Sequence, residues 1–323
     1  MVTPVPRHPG GRPILVIVGP TGVGKTDVAV EVARQIAGEV ISADSRQVYQ
    51  GLSVGTAKPV GDWAETAAGR RYLVKGVVHH LLDHVAPTET YTAGRFTREA
   101  KAVLEELSRR NVPAILVGGT GMYVRGLIRG LAALPERDPQ LRKELTDRAL
   151  REGRLALHKE LSQVDPSAAL AIPPNNIQRV IRALEVHKIT GRPLSELQRE
   201  GTHPAPWDFA WYGLRWDPAL YSERLKQRCQ SMVDGILAET HDLLAKGVPS
   251  TAPAFQSLGY REAIAYASGQ ISREEYHQEF EKQTHLYAKR QLTWFRGEPS
   301  VRWVSSGPGI TPLLLAKQIL PSP

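Results

Sequence analysis

Short apolar runs recur along the first 120 residues, each followed by a stretch with helical spacing. Ile14–Val18 leads into a glycine-rich turn and a helix-period segment over roughly 26–37. Further strand-like runs lie at 39–44, 76–82 and 112–117, and a helix is predicted over 92–110. Such alternation predicts an α/β fold, a parallel sheet flanked on both faces by helices. From 140 to 200 the pattern changes: helical periods continue without a convincing strand, broken at Pro173-Pro174 and at 191-GRP-193. This reads as an all-helical insertion domain. Strand character returns at 209–216, and Asp217-Pro218 then marks a helix start, with the acid as N-cap and proline in the first turn. Helices over 218–246 and 272–296, a strand near 301–304 and a helix at 312–320 complete the chain. The expected organisation is a core formed by 13–134 and 205–323, interrupted by the insertion 135–204. Residues 1–12, rich in Pro and Gly, read as frayed.

Charge and cysteine content narrow the picture. Across 323 residues, 41 Lys and Arg face 33 Asp and Glu, a net charge of +8. That balance permits a polyanionic partner without requiring one. Cys229 is the only cysteine, which excludes an intrachain disulfide and a cysteine zinc site and suits a reducing cytoplasm. It falls in a helical stripe with Leu225, Met232, Val233 and Ile236, so it reads as a core thiol. The apolar runs are too short to span a bilayer, so a soluble, cytoplasmic protein without membrane contact is expected.

The turn after the first strand carries the candidate chemistry. In 19-GPTGVGKT-26, Gly19, Pro20, Thr21, Gly22, Val23, Gly24, Lys25 and Thr26 fit the phosphate-loop pattern of nucleotide- and ATP-binding proteins. Backbone N–H groups and the following helix N-terminus cradle phosphate, Lys25 adds a point charge, and the Thr26 hydroxyl suits Mg2+. The loop specifies phosphate recognition and leaves the reaction open. A hydrolytic enzyme of this type offers an acid at the end of a second apolar strand. Here 112–117 runs into Gly118-Gly119-Thr120-Gly121 instead, and only Asp44, after 39–43, is available; on spacing alone the alternative for Asp44 is a solvated helix cap.

The blocks GPTGVGKT (19–26), SADSRQVYQGLSVGTAKP (42–59), VHHLLD (78–83), LVGGTGMYVRGL (116–127), NNIQRVIRALEV (175–186), SLGYRE (257–262) and KRQLTWFR (289–296) together resemble bacterial tRNA dimethylallyltransferases. The resemblance runs through nearly the whole chain. It implies a P-loop NTPase-like core and transfer of a dimethylallyl group from its diphosphate to N6 of the adenosine just 3′ of the anticodon. The loop would then grip a diphosphate leaving group with Mg2+, and the partners would be the tRNA anticodon stem-loop and dimethylallyl diphosphate, the enzyme acting as a monomer. Catalytic roles carry over to Asp44, as acceptor for the amine proton, and to Thr120 and Arg224 at the diphosphate. Arg228 shares a helix face with Arg224.

The same resemblance assigns tRNA contact to Asp44, Ser45, Arg46, Gln47 and Thr120, to Arg142, and to Gln178, Arg179, Val180, Ile181 and Arg182. It adds Gln256, Gly259, Tyr260 and Arg261, and Lys289, Arg290, Gln291, Thr293, Trp294 and Arg296. Periodicity alone places Ile177, Val180, Ile181 and Leu184 on a buried stripe, with Gln178, Arg179 and Arg182 outward; His285, Lys289, Thr293 and Arg296 share another outward face. His79, His80 and His84 read as structural, since neighbouring residues on a strand point to opposite faces. The loop reads TGVGKT where the family often has TASGKT or TASGKS, which leaves the N–H cradle intact. Three other readings remain at this stage: a P-loop small-molecule kinase, a shorter adenylate isopentenyltransferase lacking the helical insertion, and an RNA-binding module with a vestigial loop.

Overall fold

The computed structural model describes residues 11–66 and 69–320. The segment expected to fray falls almost wholly outside these. Eight strands form one sheet in the order β3-β4-β5-β2-β6-β1-β7-β8. Its centre is parallel: β1 (Ile14–Val18) lies between β6 (Ala114–Gly118) and β7 (Phe209–Arg215), while β2 (Glu39–Ser42) joins β6 to β5 (Val77–His80). At the far edge β8 (Val301–Ser305) pairs parallel to β7.

Every residue of β1, β2 and β6 is buried, as a strand covered on both faces requires. Leu15, Ile17, Ile115 and Val117 join one core with α1 (Lys25–Ile36) and α12 (Pro312–Ile319). The alternate residues Ile14, Val16, Val18 and Leu116 are equally buried, in keeping with the two-residue strand period. α2 (Ala93–Arg109) is capped by Thr92, whose side chain accepts from the Arg95 N–H, and buries Phe96, Ala100, Leu104 and Leu107. Phe96 stacks on Tyr123 of α3 (Gly121–Arg129) at 4.6 Å.

One element departs from the sequence reading. Between β2 and β5 stand β3 (Asp62–Thr66) and β4 (Gly69–Val74), an antiparallel hairpin that extends the sheet. β3, at the edge, is largely exposed, and β4 buries only Tyr72 and Val74, so neither shows the long apolar run that marks the central strands.

Arg129–Ala205 forms a second compact unit. It holds α4 (Pro139–Glu152), α5 (Arg154–Val164), α6 (Pro166–Ala171), α7 (Ile177–Thr190) and α8 (Leu194–Gly201) around its own core, which includes Leu145, Leu157, Leu161 and Leu184. Within that unit, entry and exit lie side by side: a Cβ added at Gly130 would collide with the His203 backbone, and one added at Gly201 would lie 3.0 Å from the Ala132 Cα. A fully buried carboxylate, Glu185, accepts from the Asp138 N–H (2.8 Å), from Arg142 (3.2 Å) and from Arg182 (2.7 Å). Two guanidiniums and a peptide N–H thereby offset the cost of burying the charge.

The core resumes with β7 and then α9 (Pro218–Ala245), where Asp217 accepts from the Ala219 and Leu220 N–H groups. A 3-10 turn over Pro253–Gln256 and α10 (Tyr260–Ala267) lead to α11 (Arg273–Arg296). No helix among the described residues is long and apolar enough to cross a membrane.

Candidate active site

Because β2, β6 and β1 are parallel neighbours, the loops after their C-terminal ends emerge together. These are the turn at Asp44, the Gly118–Gly121 turn and the phosphate loop, placed where α/β folds of this kind gather ligands.

The phosphate loop is held by its carbonyls. Lys25 Nζ donates to the Pro20 oxygen (2.8 Å), the Tyr221 hydroxyl to that of Thr21 (2.6 Å), and Arg224 Nε to that of Gly22 (2.7 Å). The N–H groups of Gly22, Val23 and Gly24 make no hydrogen bond to another described residue and remain available to an anion. Gly24 caps α1 at φ 90, a left-handed conformation that favours glycine. Gln291 ties the loop to its neighbour. Its Oε1 accepts from the Thr21 N–H (2.8 Å), and its Nε2 donates to the Gly119 carbonyl (2.9 Å).

Asp44 caps a turn, not a helix: Oδ1 accepts from the N–H groups of Arg46 (2.8 Å) and Gln47 (3.2 Å). Oδ2 has no hydrogen-bond partner among the described residues, and Asp44 lines a cavity. Thr120 braces the same turn, its hydroxyl accepting from the Ser45 N–H (3.0 Å) and its own N–H donating to the Ala43 carbonyl (3.2 Å). Tyr287, which the sequence reading passed over, lies beside Thr120 and near Asp44 and lines the same cavity; burial and then the Asp44 charge raise its phenol above the usual range.

The cavity encloses about 310 Å3. Thr21, Asp44, Arg46 and Arg228 contribute its polar lining, and Cys229, Met232, Leu258 and Phe280 its apolar lining. Met232 thus faces the cavity rather than the core stripe assigned to it. Of the two arginines sharing a face of α9, Arg228 is the one in the cavity. Its guanidinium makes no hydrogen bond to a described residue, and burial lowers its pKa. Arg224 is exposed, stacked over Trp216 at 4.7 Å and bonded to the loop carbonyl, so it buttresses the phosphate loop. Burial also lowers the Lys25 ammonium, to about 8; Asp44 works against that shift and Arg228 with it.

Several residues assigned to RNA contact are committed elsewhere. Val180 and Ile181 are 0% and 1% exposed in the insertion core, so their side chains are unavailable; periodicity, not the block resemblance, had them right. Tyr260 is fully buried, and Gly259 is buried against Ile236 and Phe280, its N–H held by Glu262 (2.9 Å). Gln291 is 6% exposed and spends both ends of its amide on the two loops. Trp294 packs onto Gly121. Arg142 and Arg182 are engaged by Glu185, and Gln178 accepts from Arg142 (3.0 Å). Gln47 donates its side chain to the Thr56 and Ala57 carbonyls.

Arg179, Arg261, Lys289, Thr293 and Arg296 are exposed, while Arg46, Gln256 and Arg290 line the cavity. Ser45 stands in the Asp44 turn. The histidines are structural as expected: His79 is buried against the Val77 carbonyl and lowered to about 4 by burial, His80 bonds Glu39 (2.6 Å), and His84 bonds Glu99 (3.2 Å). Among the described residues no group of three or more His, Cys, Asp or Glu could hold a metal ion.

A glycine loop opening a helix at the C-terminal ends of the parallel central strands, with a carboxylate lining the same cavity, defines a P-loop NTPase-like protein. The comparisons place it more closely. The family described as IPP transferase matches residues 47–298, and the chain belongs to that family. It is 44% identical over 294 residues to a tRNA dimethylallyltransferase of Thermomicrobium roseum, covering 90% of this chain and 86% of that one. A counterpart in Geobacter sulfurreducens is 41% identical over 293 residues, covering 90% and 91%.

Among solved structures, the tRNA isopentenylpyrophosphate transferase of Bacillus halodurans is similar at a TM-score of 0.64, with 37% identity and coverage of 91% and 89%. A eukaryotic dimethylallyltransferase acting on tRNA reaches 0.69, with 25% identity and coverage of 90% and 73%.

Proposed function

We propose that this chain transfers the dimethylallyl group of dimethylallyl diphosphate to N6 of the adenosine immediately 3′ of a tRNA anticodon. The observation that carries the reading is that Asp44, Arg228 and the phosphate-loop residue Thr21 line the same cavity. N6 attacks the allylic C1, the C1–O bond breaks, diphosphate leaves and the surplus N6 proton passes to Asp44. An exocyclic adenine amine is a poor nucleophile, so an acceptor that orients it and takes its proton matters. Negative charge gathers on the departing diphosphate, where Lys25, Arg228 and the free loop N–H groups are aimed.

Thr26, half-buried in the first turn of α1 and without a hydrogen-bond partner for its hydroxyl among the described residues, fits Mg2+ carried in on the diphosphate. Bound there, Mg2+ would supply charge neutralisation of the leaving group. The adenosine must leave its stack to reach a cavity of this size. We further read the enzyme as a cytoplasmic monomer.

The test is direct. Incubation with dimethylallyl diphosphate, Mg2+ and unmodified tRNA, without ATP, should yield N6-prenylated adenosine on digestion. An absolute requirement for ATP, or phosphoryl transfer without a prenyl donor, would return the chain to the kinase reading.

RNA affinity gives an independent check. Arg179 on α7 and Lys289 on α11 are exposed cations without an ion pair among the described residues. Alanine at either should weaken tRNA binding and flatten the dependence of log affinity on log salt by about 0.7–0.9 per lost contact. Affinity for the small diphosphate should hold. Binding indistinguishable from the native protein at several salt concentrations would make both positions plain solvated surface.

A further inference from the structure

Glu239, well along α9, is outside the cavity lining yet gathers an unusual set of donors. It accepts from the N–H groups of Ser53 (3.0 Å) and Val54 (3.0 Å) and from the Tyr260 hydroxyl. That hydroxyl in turn accepts from the next N–H along the chain, Gly55 (3.0 Å). Three consecutive peptide donors are therefore held by one carboxylate and the phenol it orients.

The run continues toward the reacting centre. Carbonyls of Thr56 and Ala57 accept from the Gln47 side-chain amide at 3.1 and 3.0 Å, and the Gln47 backbone N–H donates to Asp44 Oδ1 at 3.2 Å. Ala57 sits at φ 50, a left-handed conformation that persists where its surroundings over-determine it. Packing supports the same clamp, since Gly55 lies against the Tyr260 ring and Val54 against Gly235 of α9. Gly55 and Thr56 themselves form part of the cavity wall.

We propose that Glu239, acting with Tyr260, is a positioning residue for Asp44, fixing the turn at residues 44–47 through segment 53–57 and the side chain of Gln47. The inference rests on the reading of Asp44 as the proton acceptor. A group that only staples the fold would, when removed, lower stability and impair both substrates alike. A positioning group acts on the orientation of one carboxylate, so its loss belongs in turnover and disappears once that carboxylate is gone.

The experiment measures turnover, KM for dimethylallyl diphosphate, KM for tRNA and melting temperature in Glu239→Gln and Tyr260→Phe. Each is made in the native chain and in an Asp44→Asn background. The expected result is a loss in turnover of about tenfold or more from either change in the native chain, because displacements near 1 Å are enough to cost that much. Both KM values should stay near native, and neither change should cause further loss in the Asp44→Asn background, the non-additivity of coupled residues.

Equal losses in both backgrounds, native-like turnover, or a rise in both KM values would overturn the positioning role while leaving the acceptor reading intact. Native-like turnover in Asp44→Asn alone would overturn the acceptor reading and this inference with it. Tyr260→Phe, which removes a single oxygen, carries the test if Glu239→Gln fails to fold.

Discussion

Asp44→Asn should turn over about 10²–10⁴ times more slowly than the native enzyme while binding tRNA and dimethylallyl diphosphate nearly as well. Asparagine keeps a side-chain oxygen to accept from the Arg46 and Gln47 N–H groups, so the turn that Asp44 caps stays supported. What it loses is the capacity to take a proton. Asp44→Ala removes both, and should add a loss of stability to a comparable loss of turnover. Single-turnover prenylation with saturating tRNA reads the chemical step, and a melting curve reads the turn. Near-native rates in the asparagine variant would leave Asp44 a capping residue and nothing more.

Lys25→Met should move donor affinity and stability in opposite directions. A charge-assisted contact to diphosphate is lost, so affinity for dimethylallyl diphosphate should fall by about 10–100-fold. The free protein, by contrast, should melt higher. Burial, opposed by Asp44 and aided by Arg228, brings the native Lys25 pKa down from 10.5 to about 8, so the fold disfavours the charged form. Between those values the unfolded chain binds more protons than the folded one, and stability rises with pH.

The penalty is fully present below pH 8 and disappears as pH approaches 10.5. It amounts to at most about 3 kcal/mol, reduced by the partial solvent access of the side chain. The native enzyme should gain stability across that window, and Lys25→Met should lack this part of the gain. Donor affinity of the native enzyme should weaken above pH 8 as the free-site ammonium deprotonates. A variant that melts lower and still binds the donor normally would contradict both halves.

Much of the architecture was legible because it depends on local signals. Fully buried parallel strands are largely apolar, which marked β1, β6 and the Val40-Ile41 centre of β2; Asp217-Pro218 marked the start of α9. The hairpin β3–β4 was not legible. An edge ribbon with one exposed face carries Asp, Glu and Arg where a central strand carries Val and Ile, and its strands look like loop.

In the site, order along the chain identified the three converging loops, but helix spacing could say only that Arg224 and Arg228 share a face. Which of them enters the cavity depends on how α9 leans against the loop. Gln291 and Tyr260 were misread for a related reason. A polar side chain inside a recognised block looks like a substrate contact, yet both bury their hydrogen-bonding atoms to fix other segments. Glu185 and Glu239 gave no sequence signal, because a helical glutamate is ordinarily solvated.

The touching ends of the helical unit have a consequence for how the chain is made. β1 pairs directly with β7, although nearly two hundred residues separate them, and a contact so distant is slow to find. Part of that distance is Arg129–Ala205, whose own core can assemble from neighbouring helices as soon as they are synthesised. Once it has, Gly130 and His203 are side by side, and some seventy-five residues no longer count toward the entropy of closing the β1–β7 loop. Slower refolding when the meeting of the two ends is weakened, as by Gly201→Val, would reveal a helical unit that shortens the search for the last central strand before any substrate is present.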